Sequence, residues 1–143
     1  MSWKEMYAAQ AKAMAGRAGR VWAEDGHLDL VLAPPKAMGG SGDGTNPEQL
    51  FAAGYAACFH SAMNHVAQMQ RLDIAGSSVE GHVGIGLNDA GPGFKLAVRH
   101  IVNLPSLAQD VAEKLVHDAD EVCPYSNATR GNISVDFDVK GAA

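Results

Sequence analysis

The chain has 143 residues, 47% of them hydrophobic and 19% charged, the profile of one ordinary globular domain over residues 1–143. Its formal net charge is −5 and its basic residues are scattered, which argues against a phosphate-binding surface and against nucleic acid as a partner. No apolar run reaches the roughly 18 residues of a membrane span, and the start lacks the basic and apolar regions of a signal peptide. The expectation is therefore a cytoplasmic protein with no membrane segment.

Residues 6–15 carry two signals at once. Their alanines favour helix, while Tyr7, Ala9, Ala11, Ala13 and Ala15 alternate with more mixed neighbours as a strand would. Gly16-Arg-Ala-Gly-Arg20 is a turn, and residues 21–24 and 28–32 read as short strands joined by the hairpin signal Asp25-Gly26. Residues 33–44, with Pro34-Pro35 and a glycine-rich stretch from Gly39 to Gly44, read as an irregular, mobile loop able to act as a lid.

The best-defined element follows. Thr45, Pro47 and Glu48 supply a capping residue, a first-turn proline and a carboxylate three positions after the threonine. The helix they open runs to about residue 70. Ala53, Gly54, Ala56, Ala57, Ser61 and Ala62 keep it slim, so a central helix buried on most sides is expected. Strands over 78–87 and 94–103 are joined by the turn residues Asn88-Asp-Ala-Gly-Pro-Gly93. A second helix is predicted from Pro105-Ser106, with Leu107, Val111, Leu115, Ala119 and Val122 on one face and its end at Pro124. Alternation over 133–139 gives a final strand. Strands at both ends with helices between them make the fold class α+β.

Two cysteines, Cys58 and Cys123, stand 65 positions apart. Neither sits in a CxxC pair or a His/Cys cluster, so a zinc site is not the natural reading. In a reducing compartment such a pair is more often catalytic or simply reduced than a structural bridge. Reducing a peroxide takes one thiolate to attack an oxygen and a second thiol to resolve the sulfenic acid. An ordinary thiol, with pKa about 8.5, is mostly protonated at neutral pH, so the nucleophile needs a positive charge beside it.

Cys58 lies mid-helix, out of reach of the helix dipole, and would need a cation such as Arg17 or Arg20. Cys123 precedes Pro124, which can open a new helical turn with Cys123 at its positive end. Local chemistry leaves either cysteine as the nucleophile. His60 and His65 point to different faces of one helix, which argues against a shared metal, and their offsets from Cys58 argue against a Cys/His hydrolase.

Two long motifs carry a family resemblance. Gly44-Thr-Asn-Pro-Glu-Gln-Leu-Phe-Ala-Ala-Gly-Tyr-Ala-Ala-Cys-Phe59 and Val122-Cys-Pro-Tyr-Ser-Asn-Ala-Thr-Arg-Gly-Asn-Ile133 resemble the two cysteine signatures of the organic hydroperoxide resistance (Ohr) proteins, in the wider Ohr/OsmC family of thiol peroxidases. The similarity extends to Gly16-Arg-Ala-Gly-Arg20, Leu28-Asp-Leu30 and Gly84-Ile-Gly86, hence over nearly the whole chain.

The resemblance implies that Cys58 is the peroxidatic cysteine and Cys123 the resolving one, the two closing a disulfide. It implies that Arg17 holds the reactive thiolate and that Glu48 pairs with and orients that arginine. It further implies an Ohr/OsmC-like fold, with a long buried helix carrying the first cysteine on antiparallel sheet. The family works as an intertwined homodimer with active sites at the subunit interface. Its substrates are organic hydroperoxides, including those of fatty acids, and its electrons come from dihydrolipoyl groups of lipoylated proteins. It uses no metal, haem or flavin, so no cofactor is expected.

Glu48 and Cys58 are ten residues apart on one helix, hence about 15 Å along its axis and about 80° out of phase. One arginine can hardly touch both unless Glu48 leans back or comes from a second chain, so Arg17, Glu48 and Cys58 are expected to meet at a dimer interface. Phe51, Met38, Met63, Phe94 and Tyr125 are candidates to line an apolar substrate cleft. The first strand and the polar segment His60, Ser61, Asn64 and His65 depart from the family pattern.

Overall fold

The Asp25-Gly26 hairpin signal folds as a hairpin in the computed structural model, which describes residues 2–142. The chain forms two compact units, Met1–Pro47 and Glu48–Ala143. In the first, β1 (Lys12–Met14), β2 (Arg20–Trp22) and β3 (Asp29–Val31) pair antiparallel in chain order. Gly26 takes φ 78° at the turn, and Ala23 N donates to Leu28 O at 2.8 Å. Of residues 6–15, only 12–14 form a strand and none forms a helix. All ten are exposed, so the helix propensity of their alanines has no packing to support it.

Residues 33–44 form an irregular loop, as expected, held by its own backbone hydrogen bonds. Lys36–Met38 forms a 3-10 turn, and the amides of Gly40 and Gly42 donate to the carbonyls of Pro35 and Pro34, both at 3.0 Å.

The second unit begins with α1 (Pro47–Met69) and continues through β4 (Ser78–Leu87), β5 (Phe94–Ala108), α2 (Gln109–Val122), α3 (Pro124–Thr129) and β6 (Val135–Ala142). Its sheet has the order β4-β5-β6, with β4 antiparallel to β5 and β6 parallel to it. The final strand therefore departs from an all-antiparallel sheet. It returns beside β5 only after the crossover through α2 and α3 that a parallel pair requires.

The second helix starts at Gln109, not at Pro105. β5 continues to Ala108 with Leu104 and Leu107 buried, and Ser106 Oγ donates to Ala75 O at 2.9 Å. Pro105 is tolerated there because residues 104–107 pair with neither neighbouring strand, so its missing amide breaks no ladder bond. The buried face of α2 is Ala112, Leu115, Val116 and Ala119; Val122 is exposed.

On α1 the buried residues Tyr55, Phe59, Ala62, Met63, Val66 and Ala67 recur at helical spacing and join Val98, Val102, Leu115 and Ala119 in the core. Its small residues do admit close neighbours: a Cβ at Gly81 of β4 would lie 3.0 Å from Ala52 O. Ala53, Ala57, Ser61 and Asn64 form an exposed stripe, so the single chain buries one face of the helix rather than most sides. Among the described residues, no helix is long and apolar enough to cross a membrane.

Candidate active site

Cys58 stands half-buried in the middle of α1, with Tyr55 one turn before it and Phe59 beside it, both fully buried. Cys123 is buried at the break between α2 and α3. Pro124 causes that break: it excludes Cys123 from the helical region, and the residue takes φ −69°, ψ 121°. Its amide still donates to Ala119 O, closing α2, and its carbonyl accepts from Asn127 N, opening α3. The backbone hinge at Cys123 is thus hydrogen-bonded on both sides.

This hinge delivers the thiol to α1. The two sulfurs are 3.8 Å apart and unbonded, in van der Waals contact across 65 positions of sequence. The surroundings of Cys58 act in opposed directions. Burial pushes its thiol pKa up, the main-chain amide of Tyr125 pulls it down, and the neighbouring Cys123 raises it again, for a net upward shift. A sulfur in this setting needs a cation to become a thiolate at neutral pH.

Arg17 lies exposed in the 3-10 turn Gly16–Ala18 of the first unit. Gly19 closes that turn where no other residue fits, since an added Cβ would fall 1.8 Å from Met14 O. Arg20, the other candidate cation, is engaged within its own unit. It donates Nε and Nη2 to the two carboxylate oxygens of Asp29, at 2.7 and 2.8 Å, and its guanidinium lies 4.5 Å from the Trp22 ring. Glu48 is half-buried in the first turn of α1. His60 hydrogen-bonds Ser77 Oγ through Nε2 at 2.9 Å, and His65 is exposed, so each histidine goes its own way.

Of the five apolar candidates, Phe51 and Phe94 line a cavity of about 530 Å³ with Leu96 and Ile133. Tyr125 packs on Phe51, with ring centroids 6.5 Å apart, and lies against α1 at Gly54, where a Cβ would come within 2.9 Å of its hydroxyl. Met63 lines no cleft, being fully buried in the core, and Met38 is half-exposed in the first unit.

A buried polar cluster next to the cysteines was not anticipated from sequence. The Tyr55 hydroxyl hydrogen-bonds Ser126 Oγ at 2.8 Å and Thr129 Oγ1 at 3.1 Å. Only half of it has a local signal: Ser126 and Thr129 stand three apart after Cys123, hence on one face of a helix, but nothing local points to Tyr55. His100 is fully buried, edge-on to Tyr55 at 4.3 Å and stacked against Phe59 and Phe137. Burial lowers its pKa to about 4, with Asp120 pulling weakly the other way, so its ring is neutral at physiological pH.

Comparison with known proteins places the chain in a family and matches its fold. The family model described as OsmC-like protein matches residues 40–138. The organic hydroperoxide resistance protein of Xanthomonas axonopodis pv. citri is 48% identical over 134 residues, covering 92% of this chain and 93% of that one. Organic hydroperoxide resistance protein OhrB of Bacillus subtilis is 45% identical over 135 residues, 94% of this chain and 98% of its own. The OhrB crystal structure superposes with a TM-score of 0.86 over 95% of this chain and 100% of that one. An organic hydroperoxide resistance protein from Elizabethkingia anophelis, crystallised with thiocyanate bound, does so with a TM-score of 0.91 at 43% identity, over 97% and 99%. Family model, relatives and superposed structures therefore lead to one assignment: the chain belongs to the OsmC-like family, among the organic hydroperoxide resistance proteins.

Proposed function

We propose that the chain is a thiol peroxidase that reduces organic hydroperoxides, those of fatty acids among them, to alcohols in the cytoplasm. The observation that carries this reading is the 3.8 Å contact between two free sulfurs drawn from distant segments. Cys58 is the half-exposed sulfur and meets the substrate; Cys123 is buried behind it and meets only Cys58.

The Cys58 thiolate attacks the outer oxygen of R–O–O–H. The O–O bond breaks, the inner oxygen leaves with a proton as the alcohol, and Cys58 becomes a sulfenic acid. The Cys123 thiolate then attacks the Cys58 sulfur, the S–O bond breaks, and the hydroxide leaves as water on taking a proton. Closing the disulfide moves the sulfurs from 3.8 Å to about 2 Å, which local side-chain motion can supply. Two thiols have lost two electrons and the peroxide has gained them. A dihydrolipoyl dithiol of a lipoylated protein restores both thiols by exchange and is itself oxidised to the cyclic disulfide.

Arg17 serves as the cation for the Cys58 thiolate, and Glu48 orients it. What supports these roles is the upward shift of the Cys58 pKa within its own unit, the commitment of Arg20 to Asp29, and the family resemblance of both positions. The working form is a homodimer. Trp3, Met6, Tyr7, Met14 and Val31 are all exposed in the first unit, as side chains that a second copy covers would be. The cavity at Phe51 and Phe94 suits the apolar part of an organic hydroperoxide.

A disulfide-forming sensor would share these cysteines but would oxidise only once. The test is consumption of an organic hydroperoxide with dihydrolipoamide in excess: many turnovers per protein support the enzyme, and a single stoichiometric oxidation contradicts it.

A further inference from the structure

The resolving thiol sits on a hinge, and a hinge has to be held. On one side Arg130, just past the end of α3, donates through Nη2 to Asp120 O of α2 at 2.6 Å, bracing the two helices that flank Cys123. On the other side, a tyrosine of α1 ties α3 to α1 by side-chain hydrogen bonds. Tyr55 Oη reaches both Ser126 and Thr129, and all three side chains are buried.

The Tyr55 ring has little freedom. His100 meets it edge-on at 4.3 Å, Phe51 at 6.3 Å, and Tyr125 packs against it at 5.7 Å. A phenol in this position could have been a phenylalanine if packing were its whole purpose. Instead its hydroxyl is aimed at the helix that begins immediately after Cys123. It is also rooted three residues before Cys58, within one turn of the first sulfur.

We propose that Tyr55 is a positioning residue of the two-cysteine reaction: its phenol, bonded to Ser126 and Thr129, clamps α3 to α1 and so sets the approach of Cys123 to Cys58. The inference rests on the peroxidase reading and deepens it by naming what aligns the resolving step. The clamp carries a second consequence, because the Tyr125 amide that stabilises the Cys58 thiolate belongs to the same short helix. Loosening α3 withdraws that donor together with the second thiol. The segment that resolves the sulfenic acid thus also helps to ready the sulfur it will attack.

The test compares wild type with Tyr55→Phe and with Ser126→Ala, which opens the clamp from the other side. Two quantities are read: the rate at which diamide closes the Cys58–Cys123 disulfide, and the pH midpoint of Cys58 alkylation mapped by mass spectrometry. Thermal unfolding establishes that each variant is folded. The expected result is closure slowed about tenfold in Tyr55→Phe, with a smaller effect in Ser126→Ala, where Thr129 still holds the phenol. The alkylation midpoint moves to higher pH in both. A merely structural tyrosine would lower the unfolding temperature and leave closure and midpoint alone, and that result in either folded variant overturns the proposal. Diamide needs no peroxidase chemistry, so a wild-type protein that fails to consume cumene hydroperoxide would overturn the peroxidase reading while the closure rates still judge the clamp.

Discussion

Cys123 Sγ lies 3.8 Å from Cys58 Sγ, the first held by the extended residue between α2 and α3, the second by the middle of α1. Contact at this range lets a bond form without refolding, yet burial of Cys123 keeps bulk peroxide from reaching the second sulfur. The two thiols therefore have separable fates. Cys58→Ser is expected to reduce hydroperoxide turnover to background. Cys123→Ser is expected to consume one equivalent of hydroperoxide per chain and then stop under dithiol reduction. Trapping a sulfenic acid at Cys58 by dimedone and mass spectrometry checks the second outcome. Reversed phenotypes would exchange the two roles.

The cation can be tested through pH. Within its unit the Cys58 thiol is shifted upward, chiefly by burial, so the first step speeds up as pH rises through the thiol pKa and levels off above it. Arg17→Ala is expected to move that rise to higher pH and to slow the first step at neutral pH by about tenfold or more, and Arg17→Lys to recover part of the loss. Stopped-flow oxidation across pH 5 to about 10 reads it. Profiles that coincide would remove Arg17 from the site.

His100 sets an acid limit on stability. Its folded pKa of about 4 lies below the ordinary histidine value because burial opposes its charged form. Below the unfolded pKa the unfolded chain binds a proton that the folded chain refuses. This stabilisation is therefore complete above about pH 6.5 and is lost as pH falls towards 4, to the extent of roughly 3 kcal/mol. His100→Leu, apolar and of similar volume, is expected to flatten the curve of unfolding free energy across that window relative to wild type. Parallel curves for the two proteins would contradict it.

Gly54 gives a prediction with two opposing effects. Alanine in a helix is favoured over glycine by about 1 kcal/mol, but its methyl would sit 2.9 Å from the Tyr125 hydroxyl and 3.3 Å from the ring. Tyr125 is 40% exposed, so its ring can swing aside. Gly54→Ala is expected to unfold within about 1 kcal/mol of wild type, while Gly54→Leu destabilises and displaces Tyr125. Denaturant unfolding with tyrosine fluorescence checks both.

The elements that sequence revealed best are those with short-range causes. Thr45, Pro47 and Glu48 announced α1, Asp25-Gly26 announced the β2–β3 turn, and the break at Pro124 placed Cys123 on a hinge. The start of α2 was misplaced because a proline looks alike at the first turn of a helix and at an unpaired position of a strand. Only the register of β5 tells them apart. Local chemistry also left open which cysteine is the nucleophile, since the half-exposed setting of Cys58 and the burial of Cys123 arise only from tertiary packing. The Tyr55–Ser126–Thr129 cluster was hidden for the same reason: a tyrosine 71 positions from its partner carries no local sign of where its hydroxyl will point.

The central claim is that Cys58 and Cys123 form one catalytic pair. The most direct measurement adds one equivalent of an organic hydroperoxide to the reduced protein and maps its thiols by non-reducing mass spectrometry, then adds dihydrolipoamide and repeats the cycle. The expected result is one intramolecular Cys58–Cys123 disulfide per alcohol formed, fully reversed at each cycle. Alcohol formation with both thiols unchanged, or a disulfide that dihydrolipoamide cannot reopen, would contradict it.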